Sequence, residues 1–346
     1  MRLRPLLASV TAAVAVAGCL TAAAPALARP ADRDCSPRVG IDSYSDALDK
    51  TRFQDTFVGN FSALAVDRDG QIAALSDRSE LFRLRGAGLR PSGVVHLADE
   101  SGAPLDSEGL VVERDGSRLV ASETEPSVRR YSRDGKILGR LPVPDALQVA
   151  PAGRATRNAT FEGLTLDSGG RRLVAAMEGA ISGDAAGIVR LQSWHRDSPR
   201  HGFRPAAQYG YRTDTALGVS EITATRDGRR LLVLERGFTA GVGNTVRLYL
   251  ADTARARDVS GIENLTGQPD VRLVAKTLLA DLADCPSLGA PAKQPQPNPL
   301  LDNIEALTVT GHTRDGRLRL LLASDDNENA AQITRFYRLT VWLPRP

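Results

Sequence analysis

Acidic residues recur at matching places along the chain, next to short apolar stretches. One set stands at the start of such a stretch: Glu108, Glu162, Glu221 and Glu305. A second set follows the next apolar stretch: Asp77, Glu123, Glu178, Glu235 and Asp325. Carboxylates that converge on one place raise each other's pKa and offer the oxygen ligands that Ca²⁺ or Mg²⁺ prefer. The pattern predicts a cation site, and such a site can support hydrolysis by a metal-activated water.

A repeat of two strands and a tight turn positions these acids. In the central copy, which begins at Phe161, Leu164 and Leu166 alternate with residues 163, 165 and 167, and residues 173–177 form a second apolar run. Between these two stretches, the four residues from Asp167 to Gly170 have the composition of a hairpin turn. Because the two strands of a hairpin run antiparallel, Glu162 and Glu178 should lie at the same end.

Four more copies of this repeat begin near residues 61, 107, 220 and 303, and the first carries Ser62 where the others carry Glu. Repeats of several short strands are typical of a β-propeller. We therefore predict an all-β fold, a β-propeller with five recognisable four-stranded antiparallel blades, and leave a sixth blade open. The inner strands of such a fold line a central channel, so the acids should surround one mouth of it.

The chain divides into three predicted parts. Residues 1–28 are typical of a signal peptide, with Arg2 and Arg4, an apolar segment too short to span a membrane, and small residues at positions 26 and 28 before the cleavage site. A lipoprotein signal ending at Cys19, which would carry a lipid anchor, is the alternative. Residues 29–54 are expected to be a disordered leader up to residue 38 and a segment that closes the last blade. Residues 55–342 are the propeller domain, within which residues 271–274 are expected as a strand and Leu278–Leu282 as a short helix.

The cysteines agree with a secreted or extracytoplasmic location. Cys19 is removed or lipidated in either interpretation, which leaves Cys35 and Cys285 as one candidate disulfide. Two free thiols are the alternative. A bridge would close a loop of about 250 residues and stabilise the fold by roughly 5 kcal/mol on the chain-entropy model.

Composition excludes several other functions. Aromatic residues make up only 5% of the chain, which argues against a stacking surface for sugars or single-stranded nucleic acid. The formal net charge is +3 and no basic run stands out, so nucleic acid is not an expected partner. No G-x-S-x-G motif and no later membrane span are present. We expect a monomer with a small-molecule ester or phosphate substrate.

The repeat motifs resemble a known family. The segments S-E-G-L, F-E-G-L, S-E-I and N-I-E-A-L, with A-L-S-D-R, L-E-R-G-F and A-S-D-D-N, are similar to the family called esterase-like activity of phytase, or phytase-like domain, over roughly residues 55–342. The resemblance implies an exported bacterial β-propeller that hydrolyses phosphate or carboxyl esters, with Ca²⁺ as the suspected cofactor. The chain contains only four lysines, so a substrate phosphate would be bound by arginines.

On this basis we assign roles to individual residues. Glu162 or Glu221 would accept the proton from the attacking water, and Arg78 and Arg236 would bind the substrate anion. The predicted metal ligands are Glu108, Glu162, Glu221, Glu305, Asp325 and Asp326. The alternative for any one of these glutamates is a structural role, in which its carboxylate accepts hydrogen bonds from backbone amides of the next blade.

Three functions are compatible with these assignments. The first is a metal-dependent hydrolase of phosphate or carboxyl esters. The second is a non-catalytic propeller that binds an extracellular ligand or protein. The third is an enzyme like the sugar lactonases, which also use Glu, Asn and Asp on inner strands around one central metal.

Overall fold

The computed structural model describes residues 33–344. The predicted signal peptide, the lipoprotein alternative at Cys19 and the first residues of the leader lie outside the described residues. Residues 33–344 consist of strands, turns and two short 3₁₀ turns, Asp145–Leu147 and Leu282–Asp284. No helix in this part of the chain is long and apolar enough to cross a membrane.

The described chain begins with two strands and a hairpin, and then forms the first blade. The opening strands are β1 (Asp34–Ser36), β2 (Val39–Ser45), β3 (Thr51–Phe53) and β4 (Thr56–Val58). Blade one contains β5 (Phe61–Val66), β6 (Ile72–Ser76), β7 (Glu80–Arg85) and β8 (Arg90–His96).

The remaining blades follow in chain order. Blade two contains β9 (Ser107–Val112), β10 (Arg118–Ser122), β11 (Ser127–Tyr131) and β12 (Ile137–Arg140). Blade three contains β13 (Phe161–Leu166), β14 (Arg172–Met177), β15 (Ile188–His195) and β16 (Arg204–Arg212). Blade four contains β17 (Gly218–Ala224), β18 (Arg230–Thr239), β19 (Gly243–Asp252) and β20 (Ala275–Asp281). Blade five contains β21 (Ile304–His312), β22 (Leu318–Ser324) and β23 (Phe336–Val341).

The architecture is a five-bladed β-propeller, as predicted, and the described residues form no sixth blade. Blades one to four are four-stranded antiparallel sheets in chain order. Blade five has the order β1-β2-β23-β22-β21, so strands from both ends of the described chain share one sheet. In this sheet β2 pairs along β23, from Val39 opposite Val341 to Ser45 opposite Phe336. This pairing closes the ring of blades.

The inner strands β5, β9, β13, β17 and β21 contact one another in a ring around the channel. The apolar core lies in layers between neighbouring blades. One large cluster joins blades two, three and four, and Leu173, Trp194 and Val233 are completely buried in it. A second cluster joins blades four and five. Because each blade buries its faces against its neighbours, the core is spread around the ring.

The same tight turn connects the first two strands of every blade. In blade three, Gly170 has φ +70° and its amide donates to the carbonyl of Asp167 at 2.9 Å. In blade two, Gly116 has φ +90° and its amide donates to Glu113 at 3.0 Å. A left-handed conformation at this position favours glycine, which explains why the sequence repeats it.

The N-terminal segment and blade four differ from two expectations. Cys35 and Cys285 form the predicted disulfide, and Cys35 lies in β1, so the end of the expected disordered leader is part of blade five. The outer strand of blade four is β20 and not residues 271–274, and Leu278 lies within it. The expected helix was wrong because residues 275–281 pair along β19, and only a 3₁₀ turn follows them.

Candidate metal-binding and active site

A β-bulge recurs in each inner strand at the end where the acids lie. In β9, Ser107 and Gly109 pair with consecutive residues of β10, which leaves Glu108 as the extra residue. Glu305 is the extra residue in β21, and Ser62 has this position in β5. In β13 the bulge comprises Glu162 and Gly163. Bulges redirect side chains, so the mouth contains glutamates that regular strands would not bring together.

The second strand of each blade brings another residue to the same mouth. These residues are Asp77, Glu123, Glu178, Arg236 and Asp325, each following the strand residue that pairs next to the bulge. With Glu108, Glu162 and Glu305, the mouth therefore contains seven carboxylates. We call these seven acids and Arg236 the acidic mouth.

Blade four is shifted by one residue relative to the prediction. The extra residue of its bulge is Ser220, because Val219 pairs with Glu235 and Glu221 pairs with Leu234. Ser220 and Arg236 thus occupy the places that acids take in blades two, three and five. The predicted equivalence of Glu221 with Glu108, Glu162 and Glu305 is wrong, since the sequence motif does not fix which residue is bulged.

Two acids of blade four consequently lie away from the acidic mouth. Glu221 is 2% exposed, and its Oε1 accepts hydrogen bonds from the amides of Leu164 at 3.1 Å and Ile222 at 2.8 Å. This is the structural role that the sequence left as an alternative. Burial raises the pKa of Glu221 well above its usual range, although both amides lower it. Glu235 is paired with Tyr211 of blade three and Lys276 of blade four.

Burial and mutual repulsion raise the pKa values of the mouth carboxyls. Burial, followed by nearby acids, raises the pKa of Asp77 and of Glu123 to about 7. Burial also raises the pKa of Glu305 to about 7, even though Arg236 opposes the shift. The pKa values of the Glu108 and Glu162 carboxyls are raised well above their usual range by burial first. The next cause is the charge of Glu305 for Glu108 and the charge of Glu108 for Glu162. A cation placed here would relieve both effects.

The carboxylate oxygens are close enough together to share cations. One group of three ligand atoms comes from Asp106, Glu108 and Glu123, and another from Glu123, Glu162 and Glu178, each within 4.8 Å of one another. Glu123 belongs to both groups. Oxygen-only donors at such spacing fit a hard divalent cation such as Ca²⁺. Asp106 was not predicted, although it stands two residues before Glu108 and extends the same motif.

The two predicted arginines lie in different surroundings. The Nη2 of Arg236 is 2.9 Å from Glu305 and 3.9 Å from Glu178, and its side chain is 20% exposed. Arg78 lies at the rim, where its Nε is 3.6 Å from Asp77 and its side chain is 59% exposed. Within residues 33–344, no other basic side chain reaches within 4 Å of the seven acids.

The two aspartates of blade five that were predicted as metal ligands lie in different places. Asp325 is 4% exposed, accepts a hydrogen bond from the amide of Asn327 at 2.7 Å, and has its pKa raised by burial and by Glu305. Asp326 is completely buried but faces away, where it pairs with Lys50 and accepts from the amide of Asn60 at 3.1 Å. The structure therefore separates Asp326 from the other predicted ligands.

The acidic mouth is a cup with an apolar layer beneath it. Further along the inner strands come five buried side chains: Leu64, Leu110, Leu164, Ile222 and Leu307. These residues also line a cleft of about 260 Å³ that contains residues from the opposite end of the inner strands. A ligand at the mouth would thus contact carboxylates above an apolar layer, and burial of these carboxylates raises their pKa values.

The fold and this mouth define a five-bladed propeller with a convergent acidic site. A model of the phytase-like family, described as esterase-like activity of phytase, matches residues 56–328. The chain belongs to this family, which confirms the resemblance of the repeat motifs.

Individual relatives are more distant. A protein of Arthroderma benhamiae named "Uncharacterized secreted protein" is 30% identical over 117 residues, which cover 27% of this chain and 23% of that protein. The chain therefore spans about a quarter of the length of this curated relative.

Two solved structures resemble the fold loosely. A candidate gluconolactonase shares 14% identity with a TM-score of 0.40, over 80% of this chain and 73% of that one. A streptogramin B lyase shares 10% identity with a TM-score of 0.39, over 82% and 94%.

Proposed function

We propose that this protein is an exported, metal-dependent hydrolase of phosphate or carboxyl esters that acts at the acidic mouth. The observation that carries the proposal is the position of Glu123, whose carboxylate is shared by two groups of three oxygen ligands. Acids that serve only to join blades need no such convergence, because each would have its own hydrogen-bond donors.

The donor set favours Ca²⁺ as the cation, held by Glu108, Glu123, Glu162, Glu178 and Asp106. A bound divalent cation would polarise the ester oxygen and lower the pKa of a water molecule. Because burial raises the pKa of the ligand Glu123 to about 7, this carboxyl is partly protonated near neutral pH, so cation binding should release protons and strengthen as pH rises.

Side chains of the mouth would perform the remaining steps. Glu162 would accept the proton of the attacking water, because its carboxylate lies within a ligand group and is 6% exposed. Glu221 was the other predicted base, but two backbone amides already donate to it, so we favour Glu162. Arg236 would bind the negative charge of the substrate, and Arg78 would attract the anion at the rim.

Hydrolysis of a lactone is the second candidate reaction. The observation that favours it is Asn303, whose Nδ2 donates to Glu305 at 2.9 Å and lies 3.5 Å from Asp325. Glu, Asn and Asp thus meet at blade five, as expected for an enzyme like the sugar lactonases. A non-catalytic binding protein remains the alternative if no ester or lactone is hydrolysed.

Export is part of the proposal and rests on three observations. Residues 1–28 have the pattern of a signal peptide, Cys35 and Cys285 are disulfide-bonded, and the curated relative is named a secreted protein. Mass spectrometry of the mature protein should find its first residue after position 28. A lipid-modified Cys19 at the N-terminus would support anchoring by lipid instead.

The test combines metal binding with turnover. Purified protein should bind Ca²⁺ in calorimetric titrations and hydrolyse members of a panel of phosphate monoesters, carboxyl esters and lactones. Chelation should abolish this activity, and Glu162→Gln should abolish it while the fold is retained. Tight Ca²⁺ binding without turnover of any panel member would contradict the hydrolase and favour the binding protein. No cation binding would contradict the metal-dependent hydrolase.

A further inference from the structure

A second pocket adjoins the acidic mouth and has a different chemistry. It is a cleft of about 350 Å³ between the hairpin of β18 and β19 and the segments around residues 294 and 303–332. Six of its nine lining residues are amides: Asn244, Gln294, Asn303, Asn327, Asn329 and Gln332. The other three are Arg236, Phe238 and Glu305. We call this cleft the amide pocket.

Asn244 in this pocket has no partner for its side chain. It is 1% exposed, and neither its Oδ1 nor its Nδ2 has a hydrogen-bond partner within the described chain. A buried amide left unpaired costs free energy, because it gives up its hydrogen bonds to water and gains none in the fold. Folding alone does not explain this cost, since an apolar residue of the same shape would avoid it. A ligand that both donates to and accepts from Asn244 would explain it.

The position of Asn244 is fixed by its backbone. Its amide donates to Oε1 of Gln296 at 2.8 Å, and the preceding Gly243 has φ +110°. A Cβ at Gly243 would lie 2.5 Å from both the carbonyl of Pro295 and the side chain of Gln296. The proline-rich segment therefore packs directly against this turn, and Asn244 is held beside the pocket without using its side chain.

The pocket connects to the acidic mouth through shared residues. Asn303, Arg236 and Glu305 line the amide pocket, and Glu305 and Arg236 also belong to the mouth. Arg236 and Glu305 neutralise each other at 2.9 Å, so the pocket presents amides and no net charge. A group bound in the amide pocket would lie next to a group bound at the mouth.

We propose that the amide pocket binds a neutral, hydroxyl-rich group such as a sugar or cyclitol ring. Amides donate and accept, and so do hydroxyl groups, whereas a phosphate only accepts and a cation would prefer the carboxylates of the mouth. Phe238, which is 56% exposed at the rim, offers an apolar face to the C–H side of such a ring. The low aromatic content argued against a sugar-stacking surface. In this pocket the amides would make the hydrogen bonds to the sugar, and the single aromatic ring of Phe238 would be enough for the apolar contact.

This inference rests on the proposed function in one respect, because it names the group that would be joined to the ester at the mouth. Its test uses binding in the absence of turnover, so either idea can fail alone. The probes are methyl glucosides, methyl galactosides, trehalose and myo-inositol, measured by saturation-transfer NMR with chelator present. At least one probe should bind with a dissociation constant of about 10 mM or tighter.

Variants of the pocket residues test whether the probe binds in the amide pocket. Asn244→Leu should weaken binding at least tenfold while the melting temperature stays the same or rises, because the unpaired amide is gone. Phe238→Ala should also weaken it, and Trp342→Ala, which removes an aromatic side chain of equal exposure elsewhere, should not. If Asn244→Leu fails to fold, Gln294→Ala on the half-exposed side of the pocket replaces it. No binding by any probe, or binding unchanged in the pocket variants, would overturn the inference.

Discussion

The acids at the two ends of the inner strands differ in whether they have arginine partners. At the turn end, Asp67 of blade one lies 2.5 Å from Arg118 of blade two, and both side chains are 2% exposed. Glu113 of blade two likewise lies 2.7 Å from Arg196, which follows β15 of blade three. At the other end, seven acids of the mouth share Arg236, with Arg78 at the rim. Each of these two acids that join blades therefore has its own arginine, whereas the seven mouth acids have only two arginines among them.

This difference separates structural acids from candidate ligands. Ion pairs at the turn end satisfy buried carboxylates, and breaking one leaves an unpaired buried charge. Mouth carboxylates instead have raised pKa values because of burial and repulsion. Without a cation, this repulsion between buried carboxylates destabilises the folded protein. A bound cation would relieve the repulsion and thereby stabilise the fold.

The largest expected effect is a loss of stability of the metal-free protein as pH rises. Asp77, Glu123 and Glu305 have pKa values of about 7 in the fold, against ordinary values of 3.8 for Asp and 4.5 for Glu. Between the ordinary pKa values and pH 7, the folded state thus binds more protons than the unfolded state. The stability that these three protonated carboxyls contribute is fully present below about pH 4 and is lost as pH rises through 7. The loss should be on the order of 5 kcal/mol.

Denaturant unfolding with chelator at pH 5 and pH 8 measures this loss. Ca²⁺ should restore stability at pH 8 and change little at pH 5. A metal-free protein that is more stable at pH 8 than at pH 5 would show that the mouth is not strained.

The next effect concerns the turn end. Asp67→Asn leaves the buried Arg118 without its partner and should lower the free energy of unfolding by about 3–5 kcal/mol. Asp69→Asn is the matched control, because Asp69 is 37% exposed and pairs with the exposed Arg133. It should cost less than about 1 kcal/mol. Equal losses in the two variants would contradict the distinction between buried and surface pairs.

A smaller effect is expected from removing one mouth charge. Glu123→Gln should weaken Ca²⁺ binding by about 100-fold, since second-shell changes alone cost 10–100-fold. It should also raise the melting temperature of the metal-free protein at pH 8, because one repelling charge is gone. Glu221→Gln is the control: its carboxylate is held by two amides outside the ligand groups, so calorimetry should find the Ca²⁺ affinity unchanged. An equal loss of Ca²⁺ affinity in both variants would mean that Glu221 is also a ligand of the cation.

The smallest effect tests how closely the inner strands approach at the mouth. A Cβ at Gly163 would lie 2.4 Å from the amide nitrogen of Ile222 in the next blade. Gly163→Ala should therefore destabilise the fold by about 1–3 kcal/mol. Gly139→Ala on the outer strand of blade two meets nothing within 4 Å and should be neutral or slightly stabilising. Thermal unfolding of both variants checks this, and a neutral Gly163→Ala would mean that the strands can move apart.

The sequence by itself determined the elements of this protein. Alternating apolar residues with a D-G or G-G turn predicted the inner hairpins, because side-chain period and positive φ are local properties. The five repeats predicted the propeller, and Cys35 and Cys285 were the only cysteines left to pair. The same alternation placed acids of four blades at one mouth, because an antiparallel hairpin brings its two ends together.

Only the tertiary structure decided which acids enter the mouth. The position of a bulge depends on contacts with the next blade, and in blade four the amides of Leu164 and Ile222 bind Glu221 and leave Ser220 bulged. Arg236 reaches the mouth for the same reason. Asp326 is held by Lys50, which is distant in sequence, and Asn244 is left unpaired by the packing of a loop more than fifty residues away. These outcomes depend on contacts between blades and loops, which no local pattern in the sequence contains.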